Sequence, residues 1–524
     1  MPVTDSSVSV VRHGPRQPRR FTAVMVGVLL AGLSAAPVLA ASGDSLNRDD
    51  ALWLERVTYG LDSATVVRFR ELGRRRFLDE QLSGKNEALP APIQAQIDQL
   101  DIARTPVAEL VVDEIAEQKR INALGDDEMK KSARKARNEV GNKLAFEATQ
   151  RELLRAIYSP AQLKEQMTWF WLNHFNVFAP KGYVKFLAGD YTDRAIRPKA
   201  LGHFRDLVLA TLKHPAMLQY LDNAQNAANR INENYARELM ELHTLGVDGG
   251  YTQADVQELA HVLTGVGIDP NHEPPKLGPR RQGLLVREGL FEFNPNRHDF
   301  GDRVLLGQKI RGDGFAEVEQ AVDVLVKQPA CARFISRKLA TYFVADDPPP
   351  KLVEAMAHTF ERSDGDITAV LRTMFESHEF AASLGTKFKD PMHYVVSSVR
   401  LAYDGKPIAN TRPVVNWLNG QNEALYGHLT PDGYALTETA WASSGQMSRR
   451  FEIARTIGNG NAGLFDSGDG SPGAVTGFPK LASRLYFDGI EPYLSKTTLA
   501  ALERLTTQQE WNAFLLASPE FNYR

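Results

Sequence analysis

Residues 232–246 read NENYARELMELHTLG. One short helix would carry Asn232, Glu233, Asn234, Arg237, Glu238, Glu241 and His243. Acids, a guanidinium and an imidazole at this density suit three jobs. They can move protons, hold a metal, or satisfy one another inside a core. At helical spacing Glu233, Arg237 and Glu241 share a stripe, and Glu238 stands three residues from Glu241. Leu239, Met240 and Leu242 supply an apolar side. On an exposed helix the same stripe would be an ordinary solvated ladder.

Other segments offer partners. Asp222, Asn223 and Asn226 lie just upstream. Residues 169–176 read WFWLNHFN, which places Asn173 and His174 among aromatic side chains. An amide and an imidazole in such company need hydrogen-bond partners. His298 and Asp299 form a further imidazole–carboxylate pair before Gly301.

Three chemistries remain open. Asp222, Glu238 and Glu241 could act as paired carboxylates in hydrolysis of a carbohydrate-like polymer, tuned by Arg237 and His243. Trp169, Trp171 and Tyr235 would then stack on sugar. Alternatively Asn173, His174, Asn223, Asn226, Asn232, Glu233, Asn234, His298 and Asp299 form a buried polar network, and the protein is a structural or assembly partner. Thirdly, His243, His298 and Glu241 could hold a metal. No diagnostic spacing supports that: there is no His-Glu-x-x-His and no EF-hand loop, and Glu258 with His261 gives a single Glu-x-x-His. No cofactor is identified. A Gly-x-Ser-x-Gly elbow and a phosphate-cradling glycine loop are absent from the sequence.

The elements that must position these groups read as helices. Residues 105–158 are rich in Ala, Glu, Lys, Arg and Leu, interrupted by Gly125 and Gly141. Ser159 and Pro160 look like a helix start, leading into the aromatic block. Residues 201–220 carry helical spacing, and Thr252 with Asp255 resembles a capping box. Residues 269–290 read as a long loop, and residues 290–293 with 303–306 as a small hairpin. The fold class is mainly α, a multi-helix globular protein with that β element near 290–306. Helical core is expected over 46–265 and 315–385, with a mixed part over 386–524.

The chain has 524 residues, 43% apolar and 24% charged, with net charge -3. This is globular composition without the basic surplus that nucleic acid requires. Cys331 is the only cysteine, so no internal disulfide framework exists. Residues 1–41 have the parts of a signal peptide. Arg12, Arg16, Arg19 and Arg20 precede an apolar run over 21–33 and a small-residue site near Ala40. A periplasmic or secreted location without a stable membrane anchor follows.

In these blocks the chain resembles the bacterial domain of unknown function 1800 family, from about Leu46 to Arg524. The blocks are residues 169–175, 215–223, 232–246, 251–256, 263–265, 298–301, 334–339 and 343–348. Val266 stands where family members often have Trp, and Arg303 where they often have Lys. The resemblance implies an exported, mainly helical protein. Members often occur beside a second exported family similar to sulfatases, which suggests an extracellular polymer or a second exported protein as partner.

Mass spectrometry of the exported protein should find an N-terminus near Ala40 or Ala41. Peptides covering residues 21–33 in the mature form would contradict the signal reading.

Overall fold

A computed structural model describes residues 45–270, 275–312, 314–466 and 479–524. The signal-peptide expectation for residues 1–41 lies outside them. Helices dominate, and the class is mainly α with a small β element. Among the described residues no helix is long and apolar enough to cross a membrane.

The strongest helix formers make the longest helix, Asp127–Tyr158, capped where Asp126 accepts from the Met129 amide at 2.7 Å. Gly125 separates it from Val107–Ala123. Gly141 does not interrupt it. A Cβ there would collide with the Lys185 side chain, so the glycine admits a close crossing. The aromatic helix starts at Gln162, two residues later than Ser159–Pro160 suggested, and runs to His174. Its start is fixed from outside: Gln162 is buried, accepts from the Tyr59 amide at 3.0 Å and donates to Ala156 O and Ser159 O.

The Gln162–His174 helix is buried on every side. Trp171 packs against Phe170 (4.7 Å between ring centroids) and Phe204 (5.6 Å), and Phe170 against Tyr342 (5.2 Å). Pro329–Phe343 packs on this core through Tyr342 and Phe334; Asn234–Glu238, Gln253–Val262 and Phe315–Val326 precede it in the chain. The capping box forms: Thr252 accepts from Asp255, whose carboxylate accepts from the Thr252 amide at 2.8 Å.

The β element differs from the expected hairpin. β1 (Val266–Ile268), β2 (Val286–Glu288) and β3 (Phe291–Phe293) form an antiparallel sheet in the order β1-β3-β2. β4 (Arg303–Leu305) instead pairs with β5 (Gln308–Ile310). The turn decides this. Leu306 (φ 50°) and Gly307 (φ 76°) give a two-residue connection with both φ values positive, which matches strand twist. The long loop expected over 269–290 therefore contains a strand. Residues 386–524 are more helical than expected, with Pro391–Tyr403, Arg412–Gly420, Ser444–Gly458 and Gln508–Ala517.

A second buried network lies under this part. Arg524 is 1% exposed, donates to Gln166 Oε1 (3.0 Å) and Tyr342 O (2.8 Å), and its own carbonyl accepts from Arg56. Lys389 pairs with Glu55 at 2.9 Å. His393 bonds Asp390 at 2.8 Å and Gln166 at 3.0 Å. Burial pushes the His393 imidazole down to about 4.

Candidate functional site

The amides close first. Asn223 donates to Leu263 O (3.2 Å) and Val266 O (2.9 Å). Asn226 donates to Ala260 O (2.9 Å), and its Oδ1 accepts from the Asn232 amide (2.9 Å). Asn232 reaches Asp222 O at 3.4 Å, and Asn234 reaches Leu221 O at 3.1 Å. Almost every partner is backbone. The four asparagines therefore staple the turn after Tyr220 to the end of the Gln253–Val262 helix. Asp222 carries the strain of that turn, at φ 62°. Its half-exposed carboxylate accepts from Lys181 at 2.7 Å.

The charged helix is only part α. After Asn234–Glu238 the chain widens into a π-helical turn, Leu239–Thr244, in which the Leu245 amide bonds Met240 O. Such turns insert a residue and break the four-residue stripe. Glu233 pairs with Arg237 at 3.1 Å, and Gln253 bridges both, at 2.7 and 2.8 Å. Glu241 leaves that ladder and interacts with Tyr251. Glu238 is half-buried. Burial, then the charges of Glu241 and Asp432, raise its carboxyl above the usual range against the pull of Arg237.

His243 takes the opposite direction. It is fully buried beside Phe175 (5.0 Å) and Tyr235 (6.5 Å). Burial, then the Lys338 charge, push it down to about 3, and neither ring nitrogen finds a partner among the described residues.

The last turn of Gln162–His174 joins the parts. Asn173 donates to Tyr434 O (2.9 Å) and accepts from the Tyr434 amide (2.7 Å). Gly433 (φ 75°) allows this approach, since a Cβ there would collide with the Asn173 carbonyl. The loop so docked carries Asp432, held by Thr430 (2.6 Å) and His428 (3.1 Å). His174 Nε2 lies 3.0 Å from His243 O, and Nδ1 lies 2.9 Å from Lys338 Nζ. Trp169 stacks on Tyr434, while Trp171 and Tyr235 are buried. None of the three offers a free face for sugar.

His298 and Asp299 do not pair with each other. His298 is sealed against Glu317 at 2.8 Å. Asp299 accepts from His261 (2.6 Å) and from Arg303 (2.8 Å) at a partly exposed station of its own. Among the described residues no three His, Cys, Asp or Glu side chains are arranged to hold a metal ion.

A family described as "Protein of unknown function (DUF1800)" matches residues 52–523. The chain belongs to the DUF1800 family. No curated protein and no solved structure matches it.

In this DUF1800 protein the site therefore includes residues that the sequence reading missed: Lys338, Asp432, His428, Tyr434 and Lys181. A signal for Lys338 was present. Phe334, Lys338 and Tyr342 are spaced by four, which puts a lysine on an aromatic stripe.

Replacing an unpaired buried polar group by an apolar one costs little. His243→Leu should leave stability within about 1 kcal/mol of wild type near neutral pH. The native imidazole at about 3 lies below its ordinary 6.5. Its contribution is therefore complete above pH 6.5 and fades as pH falls towards 3, as the unfolded chain binds a proton the native state refuses. The leucine variant should lose roughly 1.4 kcal/mol per pH unit less over that window in urea melts. A loss above about 2 kcal/mol at pH 7 would contradict the unpaired imidazole.

Proposed function

We propose that this DUF1800 protein is an exported acid–base enzyme acting on an extracellular, carbohydrate-like polymer. Glu238 is the proton donor and Glu241 the second carboxyl. The observation that carries the reading is Glu238 itself: half-buried, without a direct cation partner among the described residues, and held protonated to higher pH than an ordinary carboxyl. Two carboxyls in unlike environments divide acid and base roles. Cavities of about 340 and 640 Å³ open on other residues, around His214 and around Arg372.

The asparagine staple favours a second reading, in which the cluster is scaffold for assembly with a second exported protein. Glu238→Gln separates the two. On a panel of neutral, acidic and sulfated polysaccharides, the enzyme reading expects reducing-end release by wild type and a loss of about 10²–10⁴-fold in the variant at unchanged melting temperature. Activity should also fall as pH rises through the Glu238 titration, because the donor must keep its proton. A variant as active as wild type would overturn the reading. A variant that melts early, from a wild type inert on every polymer, would favour the scaffold.

A further inference from the structure

Lys338 is a half-buried lysine whose hydrogen bond goes to an imidazole rather than a carboxylate. Its Nζ lies over the face of the Phe334 ring, 5.6 Å from the centroid. The state of that imidazole follows from its second contact. His174 Nε2 faces the carbonyl oxygen of His243 at 3.0 Å, and a carbonyl only accepts. Nε2 therefore carries the ring proton, and Nδ1 is a bare acceptor pointing at Lys338 Nζ, 2.9 Å away. Burial, then the Lys338 charge, lower His174 well below its ordinary range, so it stays neutral.

The groups facing Lys338 are His174 from the Gln162–His174 helix, His243 from the π-helical turn and Asp432 from the docked loop. The first two are neutral. Asp432 is already held by Thr430 and His428, and acts on Lys338 only through its field. An ammonium here gains one neutral acceptor, the face of the Phe334 ring and one distant charge, and gives up much of its hydration.

We infer that Lys338 is a nucleophilic amine that condenses with the carbonyl group of an aldehyde or ketone to form a Schiff base. The Nζ lone pair attacks the carbonyl carbon, the C=O π bond opens, and a proton passes from nitrogen to oxygen to give the carbinolamine. Loss of the hydroxyl with a further proton as water then leaves C=N. No oxidant or reductant is consumed. A neutral carbonyl compound fits best, because Asp432 faces the amine and would repel an anion. Burial, against the pull of Asp432, holds the amine down to about 8. At pH 7 about a tenth of it is then free base, against roughly one part in three thousand for an ordinary lysine at 10.5.

This inference does not rest on the acid–base reading of Glu238, and its test reads the amine alone. The full-length protein is incubated at pH 7 with glycolaldehyde and cyanoborohydride, which reduces the imine to a stable secondary amine. Peptide mass mapping then follows each lysine. Lys338 should gain the mass of glycolaldehyde less one oxygen at least tenfold faster than the exposed Lys351, with a rate that rises to half-maximum near pH 8. Lys338→Met should abolish that adduct while leaving labelling of Lys351 unchanged. Labelling of Lys338 no faster than Lys351, or only after denaturation, would overturn the inference in the wild-type protein alone.

Discussion

The last turn of the Gln162–His174 helix ends inside the protein, and its two polar side chains must be satisfied there. Asn173 and His174 sit among Phe170, Trp171, Phe175 and Phe204, where an unpaired amide or imidazole costs about 1–3 kcal/mol. No neighbour in sequence can serve them. Asn173 recruits the backbone of Tyr434, and His174 recruits the carbonyl of His243 and the amine of Lys338. Three distant segments thereby converge on one helix end. The loop that brings Asp432, the π-helical turn that follows Glu238, and the helix that carries Lys338 are all fixed by that requirement.

Convergence divides the polar residues into two kinds. The asparagines spend their hydrogen bonds on backbone and form a closed staple. Glu238, Glu241, Asp222 and Lys338 keep part of their surface in water, with Glu238 raised and Lys338 lowered by the same burial. Burial opposes charge of either sign, so it prepares both an acid that holds its proton and an amine that sheds one. The unpaired ring of His243 and the left-handed Asp222 mark where packing and hydrogen bonding are locally sacrificed. Such sacrifices cluster where a protein does chemistry.

Much of this was legible in the sequence, and the failures have physical causes. Helical composition placed the long helix, and Thr252 with Asp255 announced a cap, because both depend on residues a few positions apart. The Glu233–Arg237 pair was legible for the same reason. Glu241 was misplaced in that ladder because a π-helical turn changes the period inside it. The strand near 303 was paired with the wrong partner because the deciding information sat in the Leu306–Gly307 turn. His298 and Asp299, neighbours in the chain, separate because Thr264, His261 and Glu317 compete for them. Lys338 and Arg524 were missed because their partners lie 164 and 358 positions away, at His174 and Gln166. Periodicity carries no information at that range.

The convergence at this helix end depends on His174 being a neutral imidazole with its proton on Nε2. Nitrogen-15 spectra of histidine-labelled protein, with His174 assigned by its loss in His174→Gln, read this directly. A protonated Nε2 and a bare Nδ1 hydrogen-bonded to Lys338 are expected, unchanged from pH 8 to pH 5. A proton on Nδ1, or an imidazolium appearing near pH 6.5, would contradict it.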